Sequence, residues 1–295
     1  MTNNKQRITT TISLSLAACF WLQSCGKPPQ AATTSTDALQ GKLVLTGSST
    51  VAPLASEIGK RFESENPEVR VDVQTGGSSR GIADVRQGVA DIGMVSRDLK
   101  QEEEDLQGFA IARDGIGVIL HQDNSVKSLK DQQIVDIYQG KIDNWQEVGG
   151  KDAPITVVNK AEGRSTLELF LKYFQLKNRE IQAAVVIGDN EQGIKTVAGN
   201  PHAIGYVSIG TAEYSMSQGV PIKLLPVGGV AATTENVQNG TFPLSRSLTL
   251  VTKKQPEGLD QKFIEFARGS LREPPQASPE VQDIVKEQNF VPLSE

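Results

Sequence analysis

One short segment organises this chain, and it reads Thr46-Gly47-Ser48-Ser49-Thr50-Val51-Ala52-Pro53. An apolar run at 43–45 precedes it, and apolar side chains follow at helical spacing, at Val51, Leu54, Ile58 and Phe62. The pattern predicts a strand, a tight turn and a helix, and Pro53 is tolerated because the first helical turn has no intrahelical N–H partners to lose. Free N–H groups and hydroxyls at a helix start can cradle an oxyanion, although Ser and Thr are also ordinary helix caps.

The same arrangement recurs further along the chain. Strand-like residues 69–73 lead into a glycine- and serine-rich turn at 75–81, and residues 90–95 lead into Ser96-Arg97. A fourth strand-like run, 155–158, precedes a turn that ends in Arg164-Ser165-Thr166. Open α/β sheets bind ligands at the carboxyl ends of their strands. This recurrence therefore predicts an α/β protein with a ligand site built from these turns.

Arg164 is the strongest candidate for a ligand cation, because its guanidinium offers a planar fork of donors to an oxyanion. Ser165 and Thr166 stand beside it at a predicted helix start, and Lys160 is a weaker candidate that a solvated role would also explain. Arg97 is a further candidate, with a salt bridge to Asp98 or to the acidic run 102–104 as the alternative. A nucleotide-binding loop is excluded at 163–166, because that loop needs a Gly where this chain has Val158.

Length and composition restrict the class of protein. A chain of 295 residues suffices for one large or two medium domains. Its net charge of −5 comes without any block of basic residues, so nucleic acid is not an expected partner. A protein that is acidic overall can still bind an anion, because local donors outweigh a distant field.

The N-terminus predicts a signal and an anchor. Residues 1–25 combine basic residues with an apolar run too short for a comfortable membrane span. The end of this run, Leu22-Gln23-Ser24-Cys25-Gly26, resembles a bacterial lipoprotein signal in which Cys25 is lipidated, although Gln23 is unusual there. The alternative is ordinary cleavage with an incidental Cys. Residues 26–41 are rich in Pro, Ala, Thr and Ser and predict a flexible tether.

Several segments together resemble the short phosphate-binding proteins of bacterial phosphate ABC importers, in order and in spacing. They are residues 46–53, 76–81, 90–98, 163–166, 203–207 and 242–246. The resemblance implies a type II periplasmic-binding-protein fold, in which two α/β lobes joined by two crossover strands close on a dehydrated oxyanion. Lobe 1 would comprise residues 42–118 and 245–295, and lobe 2 residues 119–244.

The resemblance also implies which residues bind the ligand. It assigns Ser49 and Thr50 in the opening turn, Ser78 in the second turn, and Ser96 at a position where the family often has an acidic residue. In lobe 2 the family has an Arg and a Ser-Gly-Thr helix start, where this chain has Lys160 and Arg164-Ser165-Thr166. An Asp at position 96 would reject a fully deprotonated anion such as sulfate. Its absence leaves phosphate favoured over other tetrahedral oxyanions without excluding them.

The implied function is capture of inorganic phosphate and delivery to ABC permease subunits with a cytoplasmic ATPase. The protein would be a monomer without cofactor or metal, held by lipid to a membrane in the periplasm or at the cell surface. One alternative is an accessory protein for phosphate sensing. A phosphatase-like enzyme is more distant, because His121 and His202 are expected at the surface and no metal-ligand spacing or nucleophile elbow is present.

Overall fold

A computed structural model describes residues 39–293 of the chain. The predicted signal peptide with Cys25, and residues 26–38 of the predicted tether, lie outside the described residues. The last residues of that predicted tether do not form a linker, because strand β1 begins at Gln40. Within the described range, no helix combines the length and the apolar character that crossing a membrane requires.

The chain first builds three parallel strands with two helices between them. Strand β1 (Gln40–Gly47) lies between β2 (Glu68–Thr75) and β3 (Ile92–Val95). Helix α1 (Val51–Glu65) connects β1 to β2, and the four apolar residues whose spacing predicted it are at most 3% exposed. Helix α2 (Ser78–Gln87) connects β2 to β3.

Two strands cross the molecule side by side. Strand β4 (Gln107–His121) pairs antiparallel with β9 (Ser245–Thr252) as far as Gly115, and from Ile116 it pairs with β7 instead. Gly115 stands where this change occurs, and a Cβ there would meet Ile209 Cδ1 at 2.6 Å. The crossing therefore needs glycine because the neighbouring side chains pack directly against its backbone.

The middle of the chain builds the other part of the sheet. Strands β5 (Thr156–Lys160) and β6 (Val185–Ile187) run parallel to each other, and β5 also pairs parallel with β7 (Ala203–Ser208). Strand β7 pairs with one edge of β4 and β8 (Ile222–Leu225) with the other. The helices here are α3 (Asp131–Tyr138), α4 (Ser165–Phe174), α5 (Asn190–Ala198), α6 (Ile209–Ser217) and α7 (Thr234–Gln238).

The C-terminal helices α8 (Gly258–Arg268) and α9 (Pro279–Glu287) return to the first part of the sheet. Phe263 of α8 packs edge-on against Phe62 of α1, with ring centroids 5.4 Å apart. The largest core of the second part contains a cluster of aromatic rings among aliphatic side chains, and in it Phe170 stacks on Tyr206 at 3.9 Å. Each part of the sheet therefore has its own apolar core, and burial of these cores stabilises both parts.

We call the β2-β1-β3-β9 part with its helices lobe 1, and the β7-β5-β6 part with β8 and helices α3–α7 lobe 2. Together they form a sheet in the order β2-β1-β3-β9-β4-β7-β5-β6. This arrangement confirms the predicted α/β class with two crossover strands. The predicted boundaries after residues 118 and 244 remain predictions, because β4 runs through both lobes without a break.

Candidate functional site

A small cavity of about 10 Å³ lies between the two lobes, at the carboxyl ends of strands. Both lobes contribute to its lining, which consists of Ser48, Ser49, Thr50, Gly77, Ser78, Ser96, Lys160, Arg164, Ser165, Thr166 and Gly188. Seven of the predicted ligand residues are in this set, and Arg97 is not. The turns that the sequence singled out therefore converge on one place, although their ligand roles remain predictions.

Ser48 caps helix α1 and leaves the side chain of Thr50 for other contacts. The N-cap residue Thr50 makes no capping bond with its own side chain. Instead, Ser48 Oγ accepts the N–H groups of Thr50 at 3.2 Å and of Val51 at 3.4 Å. Capping thus explains Ser48 and does not explain Thr50, so the simple capping alternative for the opening segment accounts for only part of it.

Three serine hydroxyls of lobe 1 are linked in a chain. Ser48 Oγ–H donates to Ser96 Oγ at 2.9 Å, and the backbone N–H of Ser96 donates to Ser78 Oγ at 3.2 Å. These bonds hold the ends of β1 and β3 and the start of α2 together at the cavity wall. All three side chains are buried, with at most 3% of each residue exposed.

Gly77 precedes α2 at the contact between lobes. Its φ of +94° is in the region that favours glycine. A Cβ at this position would meet Arg164 Cδ and the carbonyl oxygen of Gly163 at 2.7 Å each. Only glycine therefore lets the second turn of lobe 1 approach the Arg164 turn of lobe 2 this closely.

Arg164 and Ser165 line the cavity from lobe 2, and each has a buried polar atom that the described residues leave without a hydrogen bond. Helix α4 begins at Ser165 without a side-chain cap. Arg164 Nε and Ser165 Oγ are buried and have no hydrogen-bond partner among the described residues. Burial lowers the pKa of the Arg164 guanidinium, an effect that the nearby carboxylate of Asp189 opposes. Buried donors without partners are costly, so these atoms point to a ligand that would accept from them.

Lys160 ends strand β5 at the cavity and is only 3% exposed, so a solvated role for it is wrong. Its Nζ donates to Asn190 Oδ1 at 2.9 Å, and Asn190 Nδ2 donates to Thr50 Oγ1 at 3.0 Å. Burial, with the adjacent charge of Arg246, lowers the pKa of Lys160 to about 7, whereas Asp189 acts in the opposite direction. A small change in its surroundings will therefore change its charge near neutral pH.

Arg246 and Asp114 form a buried ion pair beneath the cavity, one residue from each crossover strand. Arg246 Nη2 lies 2.7 Å from Asp114 Oδ2, and both side chains are at most 1% exposed. The guanidinium also donates to Thr50 Oγ1 at 3.1 Å and to Thr166 Oγ1 at 2.9 Å, and a longer contact of 3.4 Å reaches Ser96 Oγ. Arg246 thus connects hydroxyls of both lobes.

Sequence reasoning did not assign a site role to Arg246 or Asp114. A signal was present, since β4 carries the charged pair Arg113-Asp114 between apolar residues and Arg246 is the one charged residue of β9. The register Asp114↔Arg246 brings them together. Because the two residues lie in strands far apart in the sequence, only the strand pairing reveals that they are partners.

The prediction that Arg97 binds ligand is not supported by its surroundings. Two of its nitrogens donate to the Glu103 carboxylate at 2.7 and 2.8 Å, and Nε donates to Glu168 at 3.1 Å. A guanidinium so fully occupied by carboxylates has no donor directed at the cavity. The salt-bridge alternative with the acidic run explains Arg97, and the additional bond to Glu168 of α4 joins the lobes.

The two histidines also lie away from the cavity lining. His121, predicted at the surface, is only 7% exposed at the end of β4, and its Nδ1 accepts the N–H of Asp123. His202 is exposed, as predicted. Among residues 39–293, no group of His, Cys, Asp and Glu side chains is arranged to hold a metal ion.

An α/β protein whose lobes enclose a cavity rich in hydroxyl and cationic donors has the form of a two-lobe solute-binding protein. The chain belongs to the periplasmic-binding-protein superfamily, since the family model for the PBP superfamily domain matches residues 32–269. This membership and the structural neighbours confirm the predicted type II fold.

Three proteins to which the chain is similar are described as phosphate-binding or phosphate-transport proteins. A putative phosphate ABC transporter substrate-binding protein from Clostridium perfringens, solved with bound phosphate, is 35% identical with a TM-score of 0.77, over 86% of this chain and 100% of that one. An ABC-type phosphate transport receptor from Vibrio cholerae is 28% identical with a TM-score of 0.67, over 85% and 100%. The phosphate-binding protein PstS of Bacillus subtilis is 28% identical over 95% of this chain and 93% of its own.

Proposed function

We propose that this protein captures inorganic phosphate in the cleft between its lobes and delivers it to an ABC importer. One observation carries the proposal: Arg164 and the hydroxyls of Thr50, Ser78, Ser96 and Thr166 converge from both lobes on one cavity. The names of the relatives support phosphate as the anion.

Binding of this kind makes and breaks no covalent bond. Hydrogen bonds to charged groups contribute about 1.5–3 kcal/mol each, so several neutral donors with one guanidinium are sufficient for micromolar affinity or better. Because the donors come from both lobes, the ligand binds the closed arrangement more tightly than an open one. Phosphate would therefore shift the protein towards the closed state, and a permease could recognise the loaded protein by that state.

The proposal extends to the setting in which the protein acts. We propose a monomer at the periplasmic or cell-surface side, anchored through lipid on Cys25 and docking on permease subunits with a cytoplasmic ATPase. Delivery requires no enzymatic step, which agrees with relatives described as binding proteins. Incubation with a chromogenic phosphate ester checks this point, and turnover above that of a buffer blank would overturn it.

Isothermal titration calorimetry with phosphate tests the binding proposal directly. The parent protein should bind one phosphate per chain. Arg164→Ala should weaken binding by about 10- to 150-fold, the equivalent of one charge-assisted hydrogen bond. Arg179→Ala is the matched control, because Arg179 is exposed on the same lobe and lies outside the cavity lining. Equal affinities for Arg164→Ala and the parent would overturn the assignment of Arg164.

A further inference from the structure

Asn190 carries a buried amide that joins the two lobes beside the cavity. It is the first residue of α5 and is only 2% exposed. Its Oδ1 accepts from Lys160 Nζ at 2.9 Å within lobe 2, and its Nδ2 donates to Thr50 Oγ1 of lobe 1 at 3.0 Å. The capping bond of α5 comes from Asp189, whose side chain accepts the N–H of Gln192. Capping therefore does not explain the side chain of Asn190.

Lys160 determines which end of the Asn190 amide faces Thr50. The charged form of an amine, which a bound anion favours, has donors only. Its partner must therefore be the amide oxygen, and the amide nitrogen is left for Thr50. If the amide were rotated by half a turn, Nδ2 would face the ammonium group of Lys160 and two donors would oppose each other.

Thr50 Oγ1 accepts from a second donor as well. Arg246 Nη2 lies 3.1 Å from this oxygen and belongs to a guanidinium, which has no acceptor. A hydroxyl oxygen has two acceptor positions and one hydrogen, so the two donors fill both positions. The remaining hydrogen has no acceptor on the part of the chain that the structure describes, and Thr50 lines the cavity. Towards a bound anion, the Thr50 hydroxyl can therefore only donate.

The opposite orientation of the Asn190 amide would withdraw this donor from the ligand. With Oδ1 facing Thr50, the hydroxyl hydrogen would be drawn to the amide, because an amide oxygen is an acceptor. The orientation that Lys160 imposes thus decides whether the hydrogen of Thr50 is available in the cavity. The bond from Asn190 to Thr50 also requires that the lobes are closed, since each lobe supplies one of the two residues.

We propose that Asn190 is a positioning residue of the anion site, which holds Thr50 across the cleft with its hydroxyl hydrogen directed at the ligand. The inference rests on the proposed function and adds to it a residue that acts on the anion through Thr50. Asn190 itself lies outside the cavity lining. Part of the effect of Lys160 on binding passes through Asn190, because Lys160 fixes the amide.

A double-mutant cycle, measured by calorimetry with phosphate, tests the proposal. Asn190→Leu removes both bonds of the amide at similar size, and Thr50→Val removes the hydroxyl at similar size. In the parent, Asn190→Leu should weaken binding by about tenfold or more, the lower limit for one hydrogen bond to a charged group. In Thr50→Val it should weaken binding by less than about threefold, because the hydroxyl that Asn190 positions is absent. Equal losses in the two backgrounds would overturn the proposal.

Thr50→Ser provides a rescue, because it restores a hydroxyl at this position. In Thr50→Ser, Asn190→Leu should again weaken phosphate binding by about tenfold. A purely structural role of Asn190 would give the same loss whether residue 50 carries a hydroxyl or not. If Asn190→Leu does not fold by circular dichroism, Asn190→Asp replaces it in the cycle. Its carboxylate has no hydrogen to donate and would accept that of Thr50, so its loss should again be larger in the parent than in Thr50→Val.

Asn159→Leu is the matched control. Asn159 is a buried asparagine of the same lobe, 5% exposed, and its side chain bonds to Tyr206 and Asn178 of that lobe. Its replacement should change the phosphate Kd by less than about threefold, since it shares no bond with Thr50. A loss as large as that in Asn190→Leu would overturn the proposal, because removal of any buried amide from lobe 2 would then explain both results. If the parent does not bind phosphate, the proposed function itself fails.

Discussion

Replacing Lys160 by arginine separates the charge of this side chain from its titration. In the structure the Lys160 pKa is about 7 because the amine is buried beside Arg246. A bound anion favours the charged amine and raises that pKa towards its ordinary value. Anion binding above neutral pH should therefore take up a proton on Lys160. Arginine at this position stays charged throughout and should show no such uptake.

The magnitude follows from the two pKa values. At pH 8 about one tenth of a group with a pKa of about 7 is protonated, so binding should take up about 0.9 proton on Lys160. Between pH 7 and pH 8.5, the parent should lose about 15-fold more affinity than Lys160→Arg. The sign is fixed, since a proton that binds with the ligand makes rising pH unfavourable for binding.

Calorimetry in buffers of different ionisation enthalpy measures the proton uptake. Protons exchanged by phosphate itself are common to the parent and to Lys160→Arg, so the difference between the two proteins isolates Lys160. Equal proton uptake in both proteins at pH 8, or parallel pH profiles of affinity, would refute the account of Lys160 as a buried amine that titrates near neutrality.

Four further predictions concern stability and closure. Without ligand, the free energy of unfolding should rise by about 1.4 kcal/mol per pH unit between the folded pKa of Lys160, about 7, and its unfolded value of 10.5, because in this range the unfolded state binds more protons. Urea denaturation measures this rise, and Lys160→Met should remove it. Asp114→Asn should destabilise the fold by about 3–5 kcal/mol, since it leaves Arg246 buried without its counter-charge. If urea denaturation shows that the free energy of unfolding falls by less than about 1 kcal/mol, the buried ion pair is contradicted. Glu168→Gln should weaken phosphate binding by only about two- to fivefold, because the ion pairs of Glu168 with Arg97 and Lys100 join the lobes at a partly exposed site. A loss of affinity as large as that in Arg164→Ala would contradict this expectation. Gly77→Ala should weaken binding by at least about tenfold in calorimetry, since its Cβ would collide with the Arg164 turn. Gly88→Ala is the control, because Gly88, the C-cap of α2, also has a positive φ while its Cβ would meet nothing within 4 Å.

Much of the fold was predictable because it rests on local patterns. The spacing of Val51, Leu54, Ile58 and Phe62 predicted helix α1, and the residues on that face are buried. The hydroxyl-rich turns were predictable for the same reason, because each follows a strand directly. Convergence of these turns on one cavity then follows from the α/β architecture, in which strands deliver their carboxyl ends to a common edge.

The remaining features depend on pairings that sequence spacing does not encode. Arg97 is of a residue type that can bind an anion, but its donors are directed at Glu103 and Glu168. Lys160 resembles a solvated lysine in the sequence, and only the fold shows that it is buried against Asn190. The ion pair of Asp114 with Arg246 depends on the register of β4 against β9. The partners of these charged residues therefore required the structure.

A crystal structure of the protein with phosphate would locate the bound anion. We expect one anion between the lobes, within about 2.6–3.2 Å of hydroxyls from Thr50, Ser78, Ser96 and Thr166 and of the Arg164 guanidinium. An anion held outside this cavity, or one bound by a single lobe with Arg164 turned away, would contradict this expectation.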